Sequence, residues 1–229
     1  MIKSNSISLE PASDHSLLLS FGNGISLENH QRLSALTRDL LAARPDFILN
    51  LHPAYCSVLI SFDAMRAGFE QVETFVRAIL AKSVEALPIP RRVEIPVCYE
   101  SEFAPDLQDV ATRNRLSPEE VIEIHSTGAY YVCFIGFIPG FAYLGGMSLR
   151  LAAPRLASPR TQVPAGSLAI GGNQTAIYPL STPGGWRLIG RTPLRLFSPE
   201  KEPFSFFSIG DEVRFKKISL AEFRNLREQ

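Results

Sequence analysis

Residues 134–146 read FIGFIPGFAYLGG, a segment in which four glycines and one proline are interspersed with three phenylalanines and a tyrosine. A helix does not tolerate this density of glycine and proline. We therefore predict a rigid, extended turn in which Pro139 restricts the backbone and Phe137, Phe141 and Tyr143 form an apolar face. That face either lines a pocket, receives a partner protein, or fills the end of the chain's own fold.

Short apolar runs continue on the C-terminal side of this segment. They read SLAIGG (167–172), AIYPL (176–180), WRLIGR (186–191) and DEVRFKKI (211–218), with Gly/Pro turns at spacings of about ten residues. Short strands at regular spacing are typical of a β-sandwich or a closed barrel. All but three of the fifteen glycines lie after residue 127, so the composition changes along the chain.

The N-terminal part alternates helix and strand signals. Apolar residues at helical spacing predict helices from Ser26 to Ala43 and around residues 69–80. Apolar runs at 46–51 and 55–61, separated by His52-Pro53-Ala54, predict neighbouring strands. Two helices over a small sheet indicate an α+β domain with a ferredoxin-like layout. We predict this domain at 1–85, a linker at 86–94, and a mainly β domain at 95–229.

Composition excludes several classes of function. The net charge is zero and the pI is about 6.9, which gives no electrostatic footprint for nucleic acid or anionic membrane. No apolar run is long enough to span a bilayer, and the N-terminus lacks a signal-peptide pattern, so we expect a cytoplasmic protein. The three cysteines and four histidines lack zinc spacing, so no metal site is expected.

Polar and aromatic side chains in the Gly/Pro-rich segments are candidate ligand-binding groups. A barrel mouth binds a small polar ligand through aromatic walls and a few fixed hydrogen-bonding groups. The candidates are Arg160 in PRLASPRTQVPAG, then Gly172, Gln174, Thr175, Tyr178, Trp186 and Arg191. Residues 171–175 (GGNQT) form either a backbone cradle for an anion or a tight β-turn.

His125 lies at the predicted end of a helix whose start is marked by Ser117, Pro118 and Glu120. It is either a general acid–base or a structural cap. The chain contains no GxxxxGK[ST] phosphate loop, no GxGxxG and no GxSxG motif.

Several long segments resemble the family of 5-oxoprolinase B subunits, which also includes sporulation-kinase inhibitor proteins and allophanate hydrolase subunit 1. They are GFIPGFAYLGG (136–146), VPAGSLAIGGNQTAIYPLSTPGGW (163–186) and LIGRTPLRLF (188–197), preceded by LSPEEVIEIHSTGAYYVCFIGF (116–137). One departure is Ala176, where the resemblance leads us to expect glycine. The likeness is strong over 95–229, whereas the N-terminal part is similar in layout.

The resemblance implies a small α+β domain followed by a cyclophilin-like β-barrel. It also implies direct association with a larger 5-oxoprolinase C subunit and joint action with an A subunit. Together these proteins use ATP, shared with the partner, to open the small-molecule substrate 5-oxoproline to L-glutamate. On this interpretation, His125 and Arg160 are the candidate catalytic residues, and the chain is inactive alone because it lacks a phosphate loop.

Three alternatives remain at the level of sequence. One is a regulatory protein that inhibits a histidine kinase through the same apolar loop. Another is subunit 1 of an allophanate hydrolase or urea carboxylase-type enzyme. A peptidyl-prolyl isomerase has no support beyond the barrel fold, and fold does not imply function.

Overall fold

The computed structural model describes residues 7–22, 26–82 and 90–227. Contacts between Cα atoms divide the chain into two units, Met1–Ile89 and Pro90–Gln229. The predicted linker 86–94 lies partly outside the described residues, and Arg92 already begins a strand. Within the described ranges, no helix has both the length and the apolar character needed to cross a bilayer.

The first unit contains a four-stranded antiparallel sheet in the order β1-β2-β4-β3. Its elements are β1 (Ile7–Ser13), β2 (Ser16–Phe21), α1 (Leu27–Ala42), β3 (Ile48–Ala54), β4 (Ser57–Phe62) and α2 (Phe69–Lys82). Ser26 begins α1 by accepting a hydrogen bond from the Asn29 N–H at 3.1 Å. Apolar residues from the sheet and both helices, such as Leu19, Leu36, Ile60 and Val76, form one buried core.

The ferredoxin-like layout predicted for this unit is not confirmed. A ferredoxin-like chain runs βαββαβ, whereas here each helix follows a hairpin of two strands, giving ββαββα. The sequence pattern missed β1 because it is an edge strand, largely exposed, and contains Pro11.

The predicted break at His52-Pro53-Ala54 is also wrong. Strand β3 continues through Pro53 to Ala54, and the turn into β4 lies at Tyr55 and Cys56. Tyr55 adopts a left-handed backbone with φ of 53°. Proline fits within β3 because this strand lies at the edge of the sheet.

The described residues of the second unit form nine strands, three α-helices and a short 3₁₀ helix at Leu149–Leu151. The first half comprises β5 (Arg92–Val97), α3 (Leu107–Asn114), α4 (Pro118–Thr127), β6 (Tyr130–Ile135) and β7 (Ala142–Gly145). The second half comprises β8 (Arg160–Val163), β9 (Ser167–Gly171), β10 (Gln174–Ile177), β11 (Thr182–Gly184), β12 (Arg187–Arg191), β13 (Glu212–Lys217) and α5 (Leu220–Arg227).

Seven of these strands form a nearly closed, barrel-like sheet in the order β12-β9-β10-β7-β6-β13-β5. The two edge strands meet where Cys98, just after β5, exchanges backbone hydrogen bonds of 2.8 and 2.9 Å with Arg191 of β12. This unit is therefore mainly β, as predicted, while its description as cyclophilin-like stays a prediction.

Helix α4 brings a histidine into the core of this unit. The helix begins with the predicted capping box, in which Ser117 and Glu120 exchange hydrogen bonds with each other's backbone. In its last turn, the His125 ring is fully buried and packs 4.6 Å from the Phe215 ring and 5.2 Å from the Tyr130 ring.

Both ring nitrogens of His125 have hydrogen-bond partners. The Thr175 hydroxyl donates to the Ala169 carbonyl at 3.0 Å, so it accepts from His125 Nε2 at 3.0 Å. His125 Nδ1 is then the unprotonated nitrogen and accepts from the Tyr99 hydroxyl at 3.1 Å. Burial lowers the pKa of His125 to about 3, so the ring is neutral.

We expect the buried neutral His125 to make stability depend on pH. The unfolded chain takes up a proton below its ordinary pKa of 6.5, whereas the folded chain does so only near 3. The contribution of neutral His125 to the free energy of unfolding is therefore complete above pH 6.5. It falls by about 1.4 kcal/mol per pH unit as the pH is lowered from 6.5 toward 3. The free energy of unfolding can be measured by tryptophan fluorescence from pH 7.5 to 5. It should decrease less steeply with falling pH in His125→Gln than in the wild type.

The matched control is His52→Gln, which alters an exposed histidine of the first unit and should keep the wild-type slope. A His125→Gln profile parallel to that of the wild type between pH 6.5 and 5 would contradict the assignment.

Candidate functional site

A pocket of about 440 Å³ opens among the Gly/Pro-rich segments of the second unit. Five aromatic side chains line it: Phe137, Phe141, Tyr143, Tyr178 and Trp186. Pro159, Pro183, Gly184 and Gly185 also line it, and Arg155 contributes a positive charge. The volume lies within the range of small-molecule sites, roughly 300–1,000 Å³.

Phe141 lies at the centre of the aromatic walls. Its ring centroid is 5.5 Å from that of Phe137, 4.8 Å from Tyr143, 5.2 Å from Tyr178 and 5.8 Å from Trp186. All four pairs meet edge to face, the arrangement favoured by the ring quadrupoles. The walls are therefore fixed by mutual packing.

The segment between β6 and β7 presents these rings through an unusual backbone. Gly136 and Phe141 close the turn with an N–H to carbonyl bond of 3.0 Å, and Phe141 N–H also bonds to the Ile138 carbonyl at 3.1 Å. Gly140 has φ of 79° and lies against Phe197, where a side chain would crowd the neighbouring segment. Phe137 has φ of 74°, a strained conformation for a bulky residue, and its side chain is 62% exposed.

Two glycines allow the walls to close onto the sheet. A Cβ on Gly171 would overlap the Trp186 ring, and a Cβ on Gly184 would overlap the Tyr178 hydroxyl. Both aromatic side chains therefore lie directly against backbone, a close approach that only glycine permits.

The electrostatics of the pocket are dominated by Arg155. Its guanidinium carbon lies 5.8 Å from the centroid of the Trp186 ring, within cation–π range. Burial raises the pKa of Tyr143 and of Tyr178, and the charge of Arg155 partly opposes both shifts. Both phenols are therefore neutral at pH 7.

The structure brings together five of the residues predicted from sequence, namely the five aromatic side chains of the pocket. Pro139 belongs to the same loop but does not line the pocket. The predicted catalytic residue His125 lies in the core, where it has no solvent exposure and no access to a substrate. Its geometry corresponds to the structural alternative.

Residues 171–175 form the end of β9, a tight turn at Gly172 and Asn173, and the start of β10. Gly172 has φ of 66°, and its N–H already donates to the Ala153 carbonyl at 2.7 Å. Thr175 is buried against His125, and Gln174 is part of β10. This geometry is that of the β-turn, and it leaves the Gly172 N–H unavailable to an anion.

The predicted arginines lie outside the aromatic pocket. Arg160 Nη2 donates to Asp106 at 2.8 Å, and the same carboxylate accepts the Leu188 N–H at 2.7 Å. Arg160 Nη1 is buried and has no hydrogen-bond partner within the described residues. Arg191 lines a smaller hollow of about 180 Å³ with Arg195 and Arg227, and its Nε donates to the Ala165 carbonyl at 2.8 Å.

Sequence reasoning missed Arg155. The segment PRLASPR contains two arginines, Arg155 and Arg160, and the pattern alone does not show which one is neutralised by a carboxylate. For metals, the part of the chain that the structure describes contains no group of three His, Cys, Asp or Glu side chains that could hold an ion.

Comparison with known proteins shows extensive likeness. The family described as carboxyltransferase domain, subdomain C and D, matches residues 7–207. The 5-oxoprolinase B subunit of Bacillus subtilis is 42% identical over 232 residues, which cover 96% of this chain and 97% of the relative. The protein of that name from Escherichia coli is 52% identical over 132 residues, or 57% of this chain and 61% of the relative.

Solved structures and a more distant relative extend the likeness. The crystal structure of TTHA0988 is 36% identical with a TM-score of 0.78 over 89% of this chain, which spans 40% of that longer protein. A putative urea carboxylase of Emericella nidulans is 25% identical over 259 residues, which cover 95% of this chain but 21% of the relative. The urea carboxylase likeness is therefore the more distant one.

We expect Gly171→Ala to displace Trp186, because the added methyl group overlaps the indole ring. The variant should lose about 1–3 kcal/mol of stability through overpacking, and its tryptophan emission and near-ultraviolet circular dichroism should change.

Gly172→Ala is the matched control. Its Cβ meets no atom within 4 Å, so it should cost about 1–2 kcal/mol through backbone strain alone and leave the emission spectrum unchanged. Identical spectra for the two variants would contradict the packing of Trp186 on Gly171.

Proposed function

Because this chain belongs to the family of carboxyltransferase domains, subdomains C and D, and within it to the 5-oxoprolinase B subunits, we propose that it is the B subunit of an ATP-dependent 5-oxoprolinase. The reaction converts 5-oxoproline, ATP and water to L-glutamate, ADP and phosphate. The chain acts in a composite site with a protein like the 5-oxoprolinase C subunit, which it contacts directly, and with a protein like the A subunit.

The aromatic pocket is the observation that carries this proposal. Its aromatic walls suit a small flat ring. Arg155 is the single charged side chain among its lining residues. A triphosphate needs several cationic groups or backbone N–H donors, so we place the phosphates of ATP mainly on the partner protein.

The chemistry explains the need for a partner. A lactam is a poor electrophile because its nitrogen donates electron density to the carbonyl. Transfer of the γ-phosphoryl group of ATP to the lactam oxygen releases ADP and makes the ring carbon reactive toward water. Water addition, C–N cleavage and loss of phosphate then give glutamate. This chain binds and orients the ring, and its aromatic walls exclude bulk water from one side.

Phe137 is our candidate anchor for the partner that resembles the C subunit. A large apolar side chain with 62% exposure and φ of 74° is unfavourable in an isolated chain. Buried aromatic anchors often dominate the affinity of protein interfaces. Burial of Phe137 by a partner would also enclose the pocket whose rim it forms.

We expect co-expression of this chain with candidate A and C subunits to yield a complex that forms glutamate and ADP in equal amounts from 5-oxoproline and ATP. Each protein alone should show little turnover. Rapid turnover by this chain alone would contradict the composite site. A stable complex that consumes allophanate or carboxylates urea instead would favour the urea carboxylase-type alternative.

We expect Phe137→Asn to weaken association with the candidate C subunit by about tenfold or more. Asparagine tolerates the left-handed backbone, which offsets the lost contact with the Phe141 ring, so we expect the melting temperature of the free chain to change little. Association constants can be measured by calorimetry.

Leu149→Asn provides the control for this comparison, because Leu149 is 73% exposed on the 3₁₀ helix and does not line the pocket. Equal affinities for wild type and Phe137→Asn would remove Phe137 from the interface.

A further inference from the structure

We propose that Arg155 binds the carboxylate of the substrate, so that the aromatic pocket selects a compact cyclic amide bearing one carboxylate. This inference rests on the proposed function, because the substrate named there is a lactam with a single carboxylate. It assigns the recognition of that carboxylate to an arginine that the sequence pattern did not single out.

The lining of the pocket supports an anionic ligand. Its side chains are aromatic or apolar apart from Arg155 and Thr182, and none is acidic. Arg155 is an exposed residue at the rim of the cavity, so solvent attenuates its attraction for an anion, and the directed hydrogen bonds of the guanidinium matter more than its charge alone. A planar guanidinium also matches a carboxylate with two parallel hydrogen bonds.

Arg155 is available for such a ligand because it lines the pocket, whereas Arg160 lies outside the pocket and its Nη2 is paired with Asp106. In residues 7–22, 26–82 and 90–227, no carboxylate forms an ion pair with Arg155, but Asp106 binds Arg160 at 2.8 Å. The Trp186 ring, 5.8 Å from the Arg155 guanidinium carbon, keeps the charge at the pocket wall. The cationic group is thus oriented without being neutralised.

The neighbouring phenols favour the same ligand. Tyr143 and Tyr178 are neutral at pH 7, because the ordinary pKa of a tyrosine is about 10 and burial raises it further in both, so neither repels a carboxylate. The remaining rings offer flat apolar surface to a five-membered ring. The pocket therefore combines one cationic side chain, Arg155, with the apolar walls that pack around Phe141.

The test uses Trp186, the single tryptophan of the chain, as the probe. The full chain is titrated with L-5-oxoproline and with 2-pyrrolidinone, the same lactam without the carboxylate. We expect wild type to bind 5-oxoproline at least about tenfold more tightly, the effect of one charge-assisted contact. Arg155→Met should abolish this preference while keeping its affinity for 2-pyrrolidinone.

Two control variants make the result specific. Arg150→Met removes an exposed arginine that does not line the pocket and should keep the wild-type preference. Arg160→Met, compared only if its thermal unfolding remains cooperative, should also keep it. The inference is overturned if wild type shows no preference for the carboxylate, if Arg155→Met retains it, or if Arg160→Met alone removes it.

The reconstituted complex separates this inference from the proposed function. If the wild-type complex hydrolyses 5-oxoproline and the Arg155→Met complex has an unchanged KM, the function stands and the carboxylate assignment fails. If no complex turns over 5-oxoproline but the isolated chain shows the Arg155-dependent preference, the enzyme assignment fails and the anion site stands.

Discussion

The edge-to-face packing of four aromatic rings around Phe141 is the constraint on which the pocket depends. It joins the β6–β7 loop to Tyr178, after β10, and to Trp186, beside β12. A different backbone feature accommodates each ring. Trp186 packs on Gly171, Tyr178 packs on Gly184, and Phe137 has a left-handed backbone. The two glycines belong to β9 and β11, and the left-handed turn belongs to the segment between β6 and β7, so three separate parts of the chain accommodate the rings.

Sequence predicted the members of this aromatic set but not all of their polar neighbours. The aromatic residues and the glycines and prolines of the turns are close neighbours in the sequence, so a local pattern reveals them. The choice between Arg155 and Arg160 depends on Asp106, which lies 54 residues before Arg160, so no local pattern reveals it. The sequence left both a catalytic and a structural role open for His125, because its partners Tyr99 and Thr175 come from distant segments. In the first unit, the sequence pattern predicted a break at Pro53, although this residue lies within an edge strand.

The two arginines of PRLASPR illustrate how similar residues acquire different roles. Arg160 is tied to a carboxylate that also holds the backbone of β12, so its charge supports the fold. The Arg155 guanidinium lies over the Trp186 ring, and no carboxylate of the described residues forms an ion pair with it. The two arginines of one short segment thus differ in that one supports the backbone of β12 and the other lines the aromatic pocket.

The parallel pairing of β5 with β13 also governs how the chain becomes folded. Arg92 pairs with Glu212 and Val97 with Lys217, contacts between residues 120 positions apart. The barrel therefore cannot close during synthesis until its last strand has left the ribosome, whereas the strands of the first unit pair within residues 7–62. Non-local pairing of this kind slows folding and leaves strand edges open meanwhile. We therefore expect the second unit to fold more slowly than the first, and only after β13 has been synthesised.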